Sequence, residues 1–261
     1  MLEYPNIDPV IVSIGPLKIQ WYGMAYIGGI IGGAMFGYKR LCKGMGLSMD
    51  QFINLVYAIV VGILLGGRLG YVIFYDWGYY WSNPASILAI WQGGMSYHGG
   101  AIGAMLGCII FSYQNKVRVW GILDILGISS TIGIFFGRLA NFINGELYGR
   151  VTTHPWGMIF PGGGPEPRHP SQLYEAGLEG LLLFGILYTC MTRCQLKEGQ
   201  LFGLYMAGYG SLRFLIEFVR EPDAHLGPIL GPLTMGQLLC LIMITAGITL
   251  YQYQTQKKAP S

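Results

Sequence analysis

FINLVYAIVVGILLGGRLGYVIFY, residues Phe52–Tyr75, carries one charged side chain, Arg68, in 24 positions. An apolar run of this length crosses a hydrocarbon core of about 30 Å as a helix. Six further stretches of 17–20 residues repeat the pattern: Ile19–Tyr38, Gly94–Tyr113, Trp120–Phe136, Leu173–Cys190, Leu201–Phe218 and Met235–Tyr251. The expected fold is an all-α membrane protein of seven transmembrane helices, forming one polytopic domain over residues 1–261.

Composition agrees. Hydrophobic residues make up 52% of the chain and charged residues 11%, with a mean hydropathy of +0.46. Ordinary soluble domains carry about 25% charged residues. A disordered chain, a nucleic-acid-binding arm and an ordinary soluble enzyme are excluded, so no nucleic-acid partner is expected. The five cysteines form no paired framework and no metal-ligand spacing, so neither metal nor cofactor is expected. The opening MLEYPNIDPV lacks the basic start of a cleavable signal, and the first apolar span is expected to stay in place. Glycines such as Gly28-Gly29 and Gly32-Gly33 suit close helix packing better than phosphate binding.

Lys39, Arg40, Lys43, Lys116, Arg118, Arg193, Lys197, Lys257 and Lys258 fall on one side of this layout. Basic residues mark the cytoplasmic side. The N-terminus is then outside and the C-terminus cytoplasmic. The opposite side keeps six arginines, three of them (Arg68, Arg138, Arg213) within or at the ends of apolar spans. Ionisable groups there are costly and point to function. The stretch 137–172, rich in glycine and proline, reads as a small irregular extracytoplasmic head on this face.

Two clusters stand out. In GRLANFINGELYGR (137–150), Arg138, Asn141 and Phe142 share a helix face, Asn144-Gly145 reads as a turn, and Glu146 follows. Arginine offers a planar, permanently charged fork for phosphate oxygens. A salt-bridged loop anchor would use the same residues. In RFLIEFVREPD (213–223), Arg213, Glu217 and Arg220 form one stripe, extended backwards by Tyr209. Arg213 and Glu217 could line a polar cavity or neutralise each other. His98, in SYHGGAIGA, suits proton transfer near neutral pH, or serves as a hydrogen-bonded structural residue. Tyr22 and Tyr71 near the outer side also fit an interfacial aromatic belt. His154, His169 and His225 lie in or beyond the head, and Ser171 lacks the context of a serine nucleophile.

WYGMAY, GGRLGYVIFY, GGMSYHGG, GRLANFINGELYGR, RHPSQLYEA, RFLIEFVREPD and the final MGQ (Met235–Gln237), in this order, resemble the prolipoprotein diacylglyceryl transferase family of bacteria over nearly the whole chain. Ala140 stands where the family usually has glycine. The resemblance implies an enzyme that moves a diacylglyceryl group from phosphatidylglycerol to the lipobox cysteine in the signal peptide of a prolipoprotein. A thioether forms and glycerol phosphate leaves, as the first step of lipoprotein maturation. It implies a multi-pass protein of the bacterial plasma (inner) membrane, acting at the extracytoplasmic face among membrane lipid. Arg138 and Arg213 would hold the phosphate, with Asn141, Glu146, Tyr22 and Tyr209 shaping the pocket and Arg68 and Arg220 as secondary anchors. His98 is the candidate general base, with Glu217 or an arginine-bound relay as alternatives. A lipid transporter would also use embedded arginines, but it predicts inverted repeats and charges in both membrane halves. A scaffold without chemistry would not explain several embedded arginines.

Overall fold

The computed structural model describes the chain except Met1, Asn6, Pro16, Tyr75 and residues 90–92, 222–227, 231–232 and 258–261. The described chain is mostly helical and forms two compact units, residues 38–123 and residues 1–37 with 124–261.

In the 38–123 unit, α2 (Met49–Phe74) packs on α4 (Tyr97–Asn115). Glycines at four-residue spacing build the contact: Gly62, Gly66 and Gly70 on α2, and Gly99, Gly103 and Gly107 on α4. A methyl group at Gly66 would strike the Gly99 carbonyl, and one at Gly103 the Gly62 carbonyl. Backbones this close gain packing attraction that lipid tails would not replace. Between these helices lie α3 (Trp77–Ser82) and a 3-10 turn, Pro84–Leu88. On α2, Val61, Leu65, Leu69 and Ile73 remain exposed as an apolar stripe, a surface that suits lipid rather than water.

The other unit begins with a hairpin of β1 (Val10–Ile14) and β2 (Leu17–Gln20) around Gly15, whose φ is +59°. Sequence reading placed the first helix from Ile19. Its start at Trp21, as α1 (Trp21–Met45), follows because Lys18 and Ile19 pair with β1. The alternating β-branched VIVSI favours a strand there. α5 (Val119–Ile143) meets α1 through Gly29 against Gly133 and Gly32 against Ile132, so the glycine pairs are packing surfaces.

Next comes one continuous helix, Ser171–Arg193. It comprises α6 (Ser171–Glu175), a π-helical segment (Ala176–Leu182) and α7 (Leu183–Arg193). α8 (Gln200–Ile216) starts at Gly199, which has no capping side chain. Asp124 of α5 replaces it, accepting from the Gly199 and Phe202 amides at 2.7 Å each. β3 (Pro228–Leu230) and β4 (Leu233–Thr234) lead into α9 (Met235–Gln256), whose start is a capping box of Thr234 and Gln237.

Among the described residues, four helices are long and apolar enough to cross a membrane: Met49–Phe74, Val119–Ile143, Ser171–Arg193 and Met235–Gln256. The other three expected spans correspond to α1, α4 and α8. Of the stretch 137–172 read as a head, residues 137–143 continue α5 and 171–172 open α6, while 144–170 form turns and isolated bridges. The core of the head is Phe142, Met158 and Phe160, with Tyr4, Tyr148 and Leu173 packed around it. The Tyr4 hydroxyl donates to the Phe142 carbonyl at 2.7 Å, tying the N-terminal segment to the head.

Candidate functional site

Six charged side chains converge inside the unit formed by residues 1–37 and 124–261. α5 supplies Arg138. The Ser171–Arg193 helix supplies Glu175 and Glu179. α8 and the turn after it supply Arg213, Glu217 and Arg220. Arg138 Nε and Arg213 Nη1 both reach Glu175 Oε2, at 2.6 and 3.2 Å. Arg220 Nε lies 3.8 Å from the other Glu175 oxygen. Arg213 also pairs with Glu217 at 3.2 Å and stands 3.8 Å from Glu179. The Glu175 and Glu179 side chains are 1% and 0% exposed, against 19% for Arg138 and 13% for Arg213. Glu175 and Glu179 are therefore the most deeply buried members, and the arginine side chains keep slightly more exposure.

The backbone explains this order. Glu175 and Glu179 are one turn apart and share a helix face. Glu175 is the last residue before the π-helical segment and Glu179 lies within it. Such segments recur at functional sites because they re-aim side chains within a helix. Gly180 in the segment lets the helix settle against Phe135 of α5.

Three guanidiniums facing three carboxylates sum to zero, so a strong charge imbalance does not hold the cluster together. Attraction between the opposite charges in water-poor surroundings does, offsetting the cost of desolvating them: removing one partner from a buried pair leaves its mate uncompensated, at about 3–5 kcal/mol. The pairs are close but poorly aligned. The Glu175 oxygens and Arg213 Nη1 make no hydrogen bond of good geometry.

A polar chain extends from Arg138. Its Nη1 donates to Asn141 Oδ1 at 3.4 Å, and Asn141 Nδ2 donates to Glu146 Oε1 at 2.8 Å. Glu146 is exposed, just past the turn at Gly145, where φ is +65°. The backbone carbonyl of Glu146 accepts from Gln172 Nε2 at 2.7 Å, joining this chain to α6. The Tyr22 hydroxyl shares a 3.2 Å hydrogen bond with Tyr26 and interacts with Asn141. Tyr209 is buried beside both Arg138 and Arg213. Sequence-predicted Arg138, Arg213, Glu217, Asn141, Glu146, Tyr22 and Tyr209 are thus brought into one connected arrangement. Phe142, on the Arg138 face by spacing, turns into the head core instead.

Glu217 is doubly engaged, by Arg213 and by the Thr234 hydroxyl, which donates at 3.0 Å. That hydroxyl also accepts the Gln237 amide, so the cap of α9 holds a site carboxylate. A methyl at Gly236 would lie 2.8 Å from Glu217 Oε1. This accounts for each residue of the MGQ motif beyond Met235.

His98 and Arg68 belong to the 38–123 unit. His98 is exposed in the first turn of α4, after the Ser96 cap. Arg68, read from sequence as a secondary headgroup anchor, is 4% exposed and turns inward. Its five N–H groups all donate to carbonyls: Nε to Ile87, Nη1 to Gly93 and Gly94, Nη2 to Ser86 and Ala89. No donor remains for a phosphate, so that reading is corrected.

In the head, His154 stacks on Trp156 with ring centroids 4.7 Å apart and lies 5.6 Å from His169. His169 Nδ1 hydrogen-bonds the Tyr174 hydroxyl at 3.2 Å. Burial, and then the nearby His154, push the His169 pKa below the usual histidine value. His225, Pro222 and Asp223 lie outside the described residues.

Sequence reading missed Glu175 and Glu179, the deepest members of the cluster. Their signal was present: two carboxylates four residues apart in the apolar Leu173–Cys190 stretch are ionisable groups inside a span, as the arginines are.

The sequence model of the family described as "Prolipoprotein diacylglyceryl transferase" matches residues 9–253. A protein of Geobacter sulfurreducens named phosphatidylglycerol–prolipoprotein diacylglyceryl transferase is 46% identical, covering 98% of this chain and 99% of its own. Relatives with the same name are 48% identical in Paramagnetospirillum magneticum, covering 99% of this chain and 97% of theirs, and 46% identical in Vibrio vulnificus, covering 95% and 92%.

Proposed function

The chain belongs to the prolipoprotein diacylglyceryl transferase family, and we propose that Arg138 and Arg213, drawn together over Glu175, are its grip on the phosphate of phosphatidylglycerol. The protein is a transferase that moves the diacylglyceryl group of phosphatidylglycerol to a prolipoprotein, the first step of lipoprotein maturation. The finer assignments that follow are our reading: the lipobox thiol as acceptor, the thioether product, seven spans with the N-terminus outside, and a site at the extracytoplasmic face of the plasma (inner) membrane. The Lys and Arg asymmetry and the family support them.

The chemistry is a displacement at carbon. A thiol with a pKa near 8.5 attacks as thiolate. Sulfur bonds to the glyceryl methylene, the carbon–oxygen bond to phosphorus breaks, and its electron pair leaves on the phosphate oxygen. The phosphodiester starts with one negative charge and the glycerol phosphate leaves with two. The added charge develops on the oxygen that the arginines would hold. Preorganised donors aimed at developing charge are worth several kcal/mol in a water-poor site.

His98, in the 38–123 unit, is our candidate for taking the thiol proton, on the family resemblance. Glu217, already engaged by Arg213 and Thr234, holds the guanidinium in place. Asn141 and Glu146 fix Arg138 from the other side, with Tyr22 and Tyr209 lining the headgroup region. The observation that carries this reading is the meeting of two guanidiniums from different helices at Glu175 Oε2. The test is to incubate the purified protein with phosphatidylglycerol and a lipobox peptide. The peptide should gain the mass of one diacylglyceryl group, and Arg213→Ala should lower that turnover at least about 100-fold. Near-normal turnover in the variant would refute the role of Arg213.

A further inference from the structure

A buried arginine in a membrane protein ordinarily faces a carboxylate or a ligand. Arg68 instead has each of its five N–H groups on a backbone carbonyl between Ser86 and Gly94. The Tyr80 ring covers it, with its centroid 5.0 Å from the guanidinium carbon. The described part of the 83–96 connection is thus wrapped around one cation. Two backbone features make the wrap possible. Gly93 and Gly94 have φ of +85° and +76°, and a methyl at Gly94 would lie 2.8 Å from the Tyr71 ring and 2.9 Å from Arg68 Nη1.

The connection ends where α4 begins. The Ser96 amide donates to the Gly67 carbonyl at 2.8 Å, beside Arg68 in the chain. The Ser96 hydroxyl accepts the Gly99 amide, and Gly99 packs on Gly66 and Gly70. His98 lies between those two anchor points, in the first turn of α4.

We propose that Arg68 is a positioning residue for His98: it ties the carbonyls of Ser86, Ile87, Ala89, Gly93 and Gly94 to α2 and so sets the start of α4 that presents the imidazole. This rests on the reading of His98 as the base. Arg68 touches no substrate and acts through the backbone it holds. Lysine keeps the charge but cannot fork to five carbonyls, so Arg68→Lys loosens the wrap without removing the cation.

The experiment compares Arg68→Lys, His98→Gln and wild type in diacylglyceryl transfer to a lipobox peptide from pH 7 to pH 9.5. Raising the pH past the thiol's own pKa supplies thiolate without a base. A defect in base catalysis therefore shrinks with pH, and a general structural defect does not. The expected result is a loss of at least about tenfold in kcat at pH 7 for both variants, with KM for phosphatidylglycerol within about twofold. Both losses should fall below about threefold at pH 9.5, as the thiolate accumulates. Recovery of His98→Gln without recovery of Arg68→Lys would overturn the positioning role and leave the base intact. A fully active Arg68→Lys would do the same. Failure of His98→Gln to recover, or full activity at pH 7, would overturn the base reading itself. Should Arg68→Lys fail to fold, Tyr80→Leu opens the same wrap from its outer face and is read by the same criteria.

Discussion

Arg138 and Arg213 reach the same atom, Glu175 Oε2, from α5 and α8. Two cations ordinarily repel; here one buried carboxylate oxygen holds both, with Arg213 Nη1 making no hydrogen bond of good geometry. In the proposed mechanism, Glu175 balances the arginines at rest, and the substrate phosphate would add the charge that the reaction develops. We propose that Glu175 organises the site without being its reacting group.

Glu175→Gln tests that organising role. It removes the shared counter-ion of three arginines, and should destabilise the folded protein by about 3–5 kcal/mol. Thermal unfolding in detergent reads the loss. Glycerol phosphate should restore part of it if it binds the folded state as the proposed site requires. Unchanged unfolding would mean that the carboxylate is dispensable.

Asn141→Ala cuts the chain from Arg138 to Glu146. Asn141 is buried and bridges both groups. Its loss should lower transfer about 10- to 100-fold while changing stability by about 1–3 kcal/mol, the desolvation penalty of the unmatched groups. Measuring kcat/KM alongside unfolding separates the two effects, and full activity would remove Asn141 from the site.

Gly103→Val tests the contact between α2 and α4. Even a methyl would strike the Gly62 carbonyl, so the helices must part. The variant should lose at least about 2 kcal/mol, more than overpacking in a deformable core. Unfolding in mixed micelles measures this, and a wild-type midpoint would show that the backbones are not in close contact.

His169 gives the head a defined response to acid. Its folded pKa is lowered by burial and by His154, so below about pH 6.5 the unfolded chain binds the extra proton and the folded chain resists it. Stability contributed by the neutral imidazole is present above that pH and is lost as pH falls through the unfolded value toward the folded one. Unfolding followed from pH 7.5 to pH 5 should show this slope, and His169→Gln should flatten it. An equal slope in the variant would assign the response elsewhere.

Much of this was legible in the sequence because membrane helices announce themselves by length. Phe52–Tyr75 marks α2 to within a few residues, and the glycine pairs mark packing faces. Arg138 and Arg213 stood out as charges in apolar surroundings. Glu175 and Glu179 did not, although the same rule applies to them, because RHPSQLYEA reads first as head and only then as helix. The destiny of Arg68 was also hidden. Spacing shows that an arginine is embedded, but only the folded connection shows that carbonyls, rather than a phosphate, satisfy it. The end of the first hairpin, Ile19 and Gln20, was read into the first span because the apolar run continues across it.

The most direct measurement is the structure of the protein with phosphatidylglycerol bound. The account predicts phosphate oxygens within about 3 Å of both Arg138 and Arg213, the usual length of a charge-assisted hydrogen bond. A headgroup bound elsewhere, with both guanidiniums still closed on Glu175, would contradict it.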